Sequence, residues 1–379
     1  MGGDDSQKLL AWRGMLVLSR AQRTSGSLQN QLYLKDPYQD LWQASSSMRD
    51  LEYLAISMQF QERVIGCFKA LATGDAIGKQ TEMLSRADVQ QWYPGGITGF
   101  HGQPGEVIPR YAGKRYEWRI GETTDDTEQT LAVTRALLRE GRVSHKAIGR
   151  ELLQCKKSLH PGVSLWTFVQ SGDPSQIASE GDGCGAAMRT APVGVFYSSS
   201  RLDELIQGAY ECAIPTHGGQ VAVCAAAAVA GAVSAALDGK PSAEVLMVAI
   251  RASKEAETLR PSGEAATITR SIAEMYSDLV RRQHLIADEI AHQYFPNKPQ
   301  NIVPLAISLA LVTQSAKETA LLAANIGGDS DSVASIGGAI AGALYPETVN
   351  EEWFEVVSAI NKDELLDLAI SLAALRFRE

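Results

Sequence analysis

The sequence predicts an all-α fold, a compact multi-helix bundle with long active-site loops, on three observations. Apolar residues recur at helical spacing from about residue 57 to the C-terminus, and strand-like alternation is almost absent. The expected helices are also crowded with small residues, Ala225 to Ala228, Gly231, Gly337, Gly338 and Gly342 among them, which let helix axes approach closely. Of 379 residues 45% are hydrophobic, enough for a sizeable core, while 21% charged and 7% aromatic residues exclude both a disordered chain and a coiled coil.

Taken in order, residues 1–55 hold Gln, Ser, scattered charges and isolated apolar residues such as Trp12, Leu16, Leu34 and Trp42, and read as an N-terminal extension. Residues 56–379 read as one helical domain. Helices are expected over roughly 57–72, 127–140, 145–156, 218–237, 243–256, 265–294, 303–325 and 331–344. Two more are the most regular. Leu202, Leu205, Ile206 and Ala209 share one face, with Ser200 placed to cap and Asp203 three residues on; Leu365, Leu368, Ala369 and Leu372 follow Asn361 and Glu364 in the same way. Two segments, Tyr93 to Thr124 and Ser171 to Gly194, carry too much Gly and Pro for a long helix, and long structured loops in a helical domain are usually functional.

The charge balance narrows the partners. With 44 acidic and 35 basic side chains the formal charge is −9, and no run of Lys or Arg exceeds two, so nucleic-acid binding is not expected. The most apolar window, Val221 to Leu237, reads as too short and too weakly hydrophobic to span a bilayer, so no membrane association is expected. Five cysteines without a Cys-x-x-Cys pair, and acids where a signal peptide wants bases, point to a reducing, cytoplasmic setting.

Chemistry concentrates in three acidic places: Thr124-Asp125-Asp126-Thr127, Gly327-Gly328-Asp329-Ser330-Asp331-Ser332, and Gly74-Asp75 followed by Glu82. Read structurally, the first two are helix N-caps with acids in the first turn, favoured by the helix dipole. Read chemically, they offer only hard oxygen ligands, which suit Mg²⁺, or Mn²⁺ as a substitute, and neither zinc nor copper. If the clusters meet, their carboxylates need dications between them, and two ions can sit about 3.5–4 Å apart. The loop Gly181-Asp182-Gly183-Cys184-Gly185 can turn successive N–H groups toward an anion; its plain alternative is a Gly-rich turn.

Gly-Asp-x-x-Gly-x-x-x-Glu (74–82), Gly-x-Thr-Thr-Asp-Asp-Thr (121–127), Gly-Asp-Gly-Cys-Gly-Ala-Ala-Met-Arg (181–189), Thr-His (216–217) and Gly-Gly-Asp-Ser-Asp-Ser (327–332) occur in this order, and together they resemble the ADP-ribosylglycohydrolase family over about residues 60 to 375. That resemblance implies an all-α domain with a binuclear magnesium centre, hydrolysing the bond between the anomeric carbon of ADP-ribose and an acceptor side chain of a modified protein, with Arg the expected acceptor. It makes Thr124, Asp125, Asp126, Asp329, Asp331 and Ser332 the metal ligands. Glu82 and Asp126 become the candidates for the catalytic base, and Asp75 a brace for the ligand loops. Gly181, Asp182, Gly183, Cys184, Gly185, Met188 and His217 become the substrate-binding set. Cys184 lacks the His-containing partner motif of a nucleophile, and Trp118, Tyr93 and Phe100 are candidates to stack on adenine.

The family includes immunity proteins against ADP-ribosylating toxins, so residues 1–55, with Trp12, Tyr33, Tyr38 and Trp42, are a candidate arm for a cognate toxin. Two alternatives stay open: a binuclear-metal hydrolase of another N-glycoside or nucleotide, and a binding inhibitor of an ADP-ribosyltransferase acting through the extension.

Overall fold

From Phe60 onward the apolar residues close into a core carried by helices. The computed structural model describes residues 48–159, 162–261 and 267–377; most of the expected N-terminal extension, with its candidate toxin-binding aromatics, lies outside them. Helix α1 (Met48–Gly78) is followed by α2 (Arg86–Trp92) and the first long loop. There the one β feature among the described residues is an isolated bridge between Val107 and Arg119. Next come α3 (Asp125–Glu140), α4 (His145–Leu152), α5 (Val163–Ser171), the single-turn α6 (Gly185–Met188), α7 (Ala191–Phe196), α8 (Leu202–Ala213) and α9 (Gln220–Leu237). The chain ends with α10 (Ser242–Ala256), α11 (Thr267–Leu279), α12 (Ala287–Tyr294), α13 (Pro299–Thr313), α14 (Ala316–Ile326), α15 (Ser330–Leu344), α16 (Glu351–Asn361) and α17 (Leu365–Leu375).

Helix α9 is the centre of the bundle, packed against α7, α8, α10, α13 and α15. At 18 residues and a mean hydropathy of 1.9 it is long and apolar enough to cross a bilayer, contrary to the expectation from its sequence, but 89% of it is buried inside the protein. Its uniform apolarity belongs to a core helix with neighbours on every side.

The site is positioned by a second helix pair. A Cβ at Gly66 would lie 2.4 Å from the Gly342 carbonyl oxygen, one at Gly74 2.2 Å from that of Ala334, and one at Gly78 2.4 Å from that of Ser330. From the other helix, a Cβ at Gly338 would lie 2.4 Å from the Ala70 carbonyl oxygen. Steps of four along α1 thus meet steps of four backward along α15, so the helices run antiparallel with their backbones in contact. The Ser330 hydroxyl donates to the Gly78 carbonyl at 2.9 Å and ties the end of α1 to the start of α15.

Several local expectations are corrected. The helix expected over 265–294 is two, because Val280, Arg281 and Arg282 turn back on the carbonyls of Tyr276, Asp278 and Leu279. The one expected over 303–325 breaks at Gln314, in left-handed backbone, and restarts where the Ser315 hydroxyl accepts the Glu318 N–H. Ser200 does not cap α8, which begins after Arg201; its hydroxyl bonds that of Ser198. Asn361 does not cap α17 either. It is the last residue of α16, and its side chain binds the Gly121 carbonyl and receives the Thr123 N–H and hydroxyl. Helices α2, α5 and α16 were not expected, and the second loop contains α6 and α7.

The helix contact gives a direct test. Gly74→Val drives a side chain into the Ala334 backbone and should cost about 3 kcal/mol or more in urea unfolding. Gly141→Ala, at φ 64° with open space around it, should cost only about 1–2 kcal/mol.

Candidate active site

The last turn of α1 carries Asp75, fully buried. Both its oxygens accept the Thr124 N–H at 3.0 Å, and Oδ2 also accepts the Thr127 N–H at 3.1 Å and the Thr127 hydroxyl at 2.5 Å. Burial pushes this carboxyl above its usual range while the threonine bonds pull it back. Its neighbours are the N–H groups of the first turn of α3, the positive end of that helix. Asp75 is therefore a brace that docks the start of α3 on the end of α1, as its place in the sequence motif implied.

On that brace sit the residues expected to hold metal. Thr124 caps α3, accepting the Asp126 N–H at 3.2 Å. Asp125 turns to the flank, where its Oδ2 accepts the Ser158 hydroxyl at 2.7 Å and the Gln129 amide at 3.3 Å. Asp126 turns inward, and its Oδ2 accepts the hydroxyls of Thr124 and, from α15, Ser332, each at 3.4 Å. Gly327 and Gly328, at φ 83° and 69°, bend the chain into α15. The Met83 and Gly328 amides donate to the Gly328 and Leu84 carbonyls, fixing that bend beside Glu82. Asp329 stands at the N-cap of α15 and accepts the Cys184 thiol at 3.1 Å. The two acidic motifs, more than 200 positions apart, thus meet, with the Gly-rich loop joined to them through Cys184.

The electrostatics of the cluster are uncompensated. Asp126 Oδ1 and Asp331 Oδ1 are buried with no hydrogen-bond partner among the described residues. Burial, followed by the charges of Asp75, Asp125, Asp329 and Glu82, pushes the Asp126 carboxyl well above its ordinary range. Burial and then Glu82, Asp329 and Asp126 do the same to Asp331. Asp125 is raised to about 6, by burial first, against the pull of the Ser158 bond. Among the described residues no three His, Cys, Asp or Glu side chains form a closed ion cage; the convergence runs through the hydroxyls of Thr124 and Ser332 and the Cys184 thiol. Hard oxygen donors, two of them buried and unpartnered, nevertheless fit Mg²⁺ or Mn²⁺, whose charge would reverse the upward shifts.

Glu82 lies on the same patch, and its surroundings were not legible in the sequence. Its Oε2 forms an ion pair with Lys79 and accepts the Tyr111 hydroxyl at 3.3 Å. Arg110 reaches back from the first long loop to the carbonyls of Lys79, Gln80 and Glu82. Those carbonyls belong to the turns that follow α1, and the guanidinium supplies donors to them. The adenine-stacking candidates from this loop are engaged elsewhere: Trp118 is buried under the Lys79 ammonium, Phe100 packs edge-on to Trp353, and the Tyr93 hydroxyl donates to the Gln80 carbonyl.

The Gly-rich loop rests on His217. A Cβ at Gly183 or Gly185 would come within 2.9 and 2.8 Å of the His217 ring, so both positions must be glycine for the loop to lie on it. The Asp182 carboxylate accepts the Val221 and Ala222 N–H groups, capping α9 from outside. Met188 is buried and its carbonyl accepts the Thr130 hydroxyl. Burial pushes the Cys184 thiol well up, with the Asp329 charge next, so it stays protonated. Below the loop, Arg189 is completely buried and donates to Gln129 Oε1 and Thr216 Oγ1, both at 2.8 Å, and to the Cys212 and Ala213 carbonyls. Thr216 Oγ1 shares a 2.7 Å hydrogen bond with His217 Nδ1.

Comparison with known proteins identifies the family and the fold. The sequence profile of the ADP-ribosylglycohydrolase family matches residues 57–379. An Escherichia coli (strain K12) protein, YegU, is 29% identical over 332 residues, covering 83% of this chain and 97% of its own. The ADP-ribosylarginine hydrolase Tri1 of Pseudomonas putida (strain GB-1) is 24% identical over 317 residues, covering 79% and 75%. A solved structure titled ADP-ribosylglycohydrolase-related protein complex shares the fold with a TM-score of 0.58 at 24% identity, over 84% of this chain and all of that one.

His217 carries a pH signature. Burial, reinforced by Arg189, lowers it to about 3, so it is neutral in the folded protein and takes up a proton on unfolding below its ordinary value of about 6.5. Its contribution to stability should be constant above about pH 6.5 and fall by up to about 1.4 kcal/mol per unit as pH drops toward 3. In denaturant melts between pH 4.5 and 7, His217→Gln should show a shallower slope than the wild type.

Proposed function

The chain belongs to the ADP-ribosylglycohydrolase family, and we propose that it releases ADP-ribose from arginine side chains of modified proteins with two Mg²⁺ ions held by Thr124, Asp125, Asp126, Asp329, Asp331 and Ser332. One observation carries the metal dependence: Asp126 Oδ1 and Asp331 Oδ1, from two different helix starts, are buried without partners in a patch where carboxylates outnumber cations. Such a patch is stable only with positive charge inserted. The choice of arginine is supported by the name of the P. putida relative. It also suits the chemistry, since an ADP-ribosylated guanidinium is already cationic, takes the C–N bonding pair as it departs as neutral guanidine, and needs no strong acid behind it.

Breaking the glycosidic bond builds oxocarbenium character at the anomeric carbon, so the site must grip the ribose, hold water on one face and leave the other open to the departing group. Dications held by those six residues would supply Lewis acidity to the site. The chain's residues do the rest. Glu82, engaged through one oxygen by Lys79 and Tyr111, accepts the proton of the attacking water, while Asp126 serves as a ligand. The N–H groups of the Gly181–Gly185 loop, lying on His217, face the diphosphate. Asp75 and Arg189 keep the ligand helix and the loop in register.

The test is release of free ADP-ribose from Arg-linked and Ser-linked ADP-ribosyl proteins, with Mg²⁺ or with EDTA. Release from the Arg-linked substrate that needs Mg²⁺ and falls about 100-fold or more in Asp329→Ala is expected. Release from neither substrate by protein that binds Mg²⁺ would turn the reading to another N-glycoside or a nucleotide.

A further inference from the structure

The Lys79–Glu82 pair is costly to build. Lys79 is only 5% exposed, and its ammonium lies 4.1 Å from the centre of the Trp118 ring and 5.4 Å from that of Tyr111. A buried ammonium loses its hydration, and here two aromatic faces and one carboxylate replace it. Burial alone would lower its affinity for a proton; the charges of Glu82 and Asp331 outweigh that and raise it. The contact that the ammonium makes with a carboxylate is the ion pair with Glu82. Glu82 Oε2 is occupied twice, by Lys79 and by the Tyr111 hydroxyl, and that hydroxyl is itself held by Arg110. Asp126 and Asp331 each keep a buried oxygen without a partner.

We propose that Lys79 is a positioning residue that holds Glu82 out of the metal-ligand set, so that one carboxylate at the site stays free to take a proton. This rests on the metal-dependent reading above. Without the ammonium, Glu82 would be an unpaired hard-oxygen donor on the same patch as Asp331, and a dication would recruit it. A lysine that merely fastened the end of α1 to the first loop would leave metal affinity where it was when removed, and one that acted only through its charge would raise that affinity by the same factor whether residue 82 is Glu or Gln.

Mn²⁺ binding, measured by electron paramagnetic resonance on the full chain, separates these roles using the wild type, K79M, E82Q and K79M/E82Q. K79M should bind Mn²⁺ about ten-fold more tightly than the wild type, whereas K79M/E82Q should stay within about three-fold of both E82Q and the wild type, so that the gain requires Glu82. The double variant replaces the pair by two neutral side chains, so it buries no unpaired charge and keeps the proposal open to refutation even if K79M fails to fold. No gain in folded K79M, a gain that survives E82Q, or a double variant ten-fold weaker than the wild type would overturn the proposal, the last because Glu82 would then already be a ligand. A wild type that binds no Mn²⁺ would instead remove the metal-dependent reading itself, and this one with it.

Discussion

Everything at the site depends on how closely α1 and α15 approach. Gly66, Gly74 and Gly78 on one helix and Gly338 and Gly342 on the other leave no room for a Cβ between the backbones. Because the helices run antiparallel, that contact sets the end of α1 against the beginning of α15. The first end carries Asp75 and Glu82, the second Asp329, Asp331 and Ser332. A wider separation would move the two halves of the acidic patch apart, and no side-chain adjustment could close the gap. Asp75 then extends the same frame to a third helix by accepting the free N–H groups of Thr124 and Thr127. Three helix ends are thereby fixed relative to one another through backbone contacts and one fully engaged carboxylate.

The carboxylates divide by whether the protein satisfies them. Asp75 is satisfied by N–H and hydroxyl donors and Asp182 by the start of α9, while the bonds of Asp125 engage Oδ2 alone. Asp126 and Asp331 are not satisfied, and each leaves an oxygen facing no donor among the described residues. Folded proteins rarely leave such groups buried and unpaired without a reason, since each costs on the order of 1–3 kcal/mol or more. The satisfied acids build the frame and the unsatisfied ones are its product: a pocket of negative charge that the rest of the fold holds in place for a cation.

The sequence made the acids visible but not their division of labour. Paired Asp with Thr or Ser at two helix starts marked the proposed ligands, and a lone Asp in a glycine-spaced apolar helix marked the brace, because those residue types are unusual at those positions. The all-α class was equally legible from apolar spacing. Hidden were the features set by contacts distant in sequence. Lys79 and Tyr111 look like ordinary residues until the first loop folds over the end of α1. Asn361 looked like a cap because an apolar helix follows it, yet it holds the Gly121–Thr123 turn from the far end of the chain. Trp118 looked like a free aromatic surface and is the floor under an ammonium. The breaks at Val280 and Gln314 escaped because the apolar stripe resumes in phase after a few residues, so periodicity alone runs through them.

The metal side and the Gly-rich loop are also joined beneath the surface. Asp125 accepts the Gln129 amide, Gln129 accepts Arg189, Arg189 donates to Thr216, and Thr216 shares its hydroxyl with His217, on which Gly183 and Gly185 rest. Above the surface, Cys184 in that loop donates to Asp329. The loop is thus held at both ends of the patch, by a buried polar chain to the start of α3 and a thiol to the start of α15. Arg189 makes that chain rigid, because a buried guanidinium with five fixed donors tolerates no loss of a partner. A ligand at the loop and a cation at the carboxylates, as proposed, would therefore act on one body, with the distance between them set by the fold before either arrives.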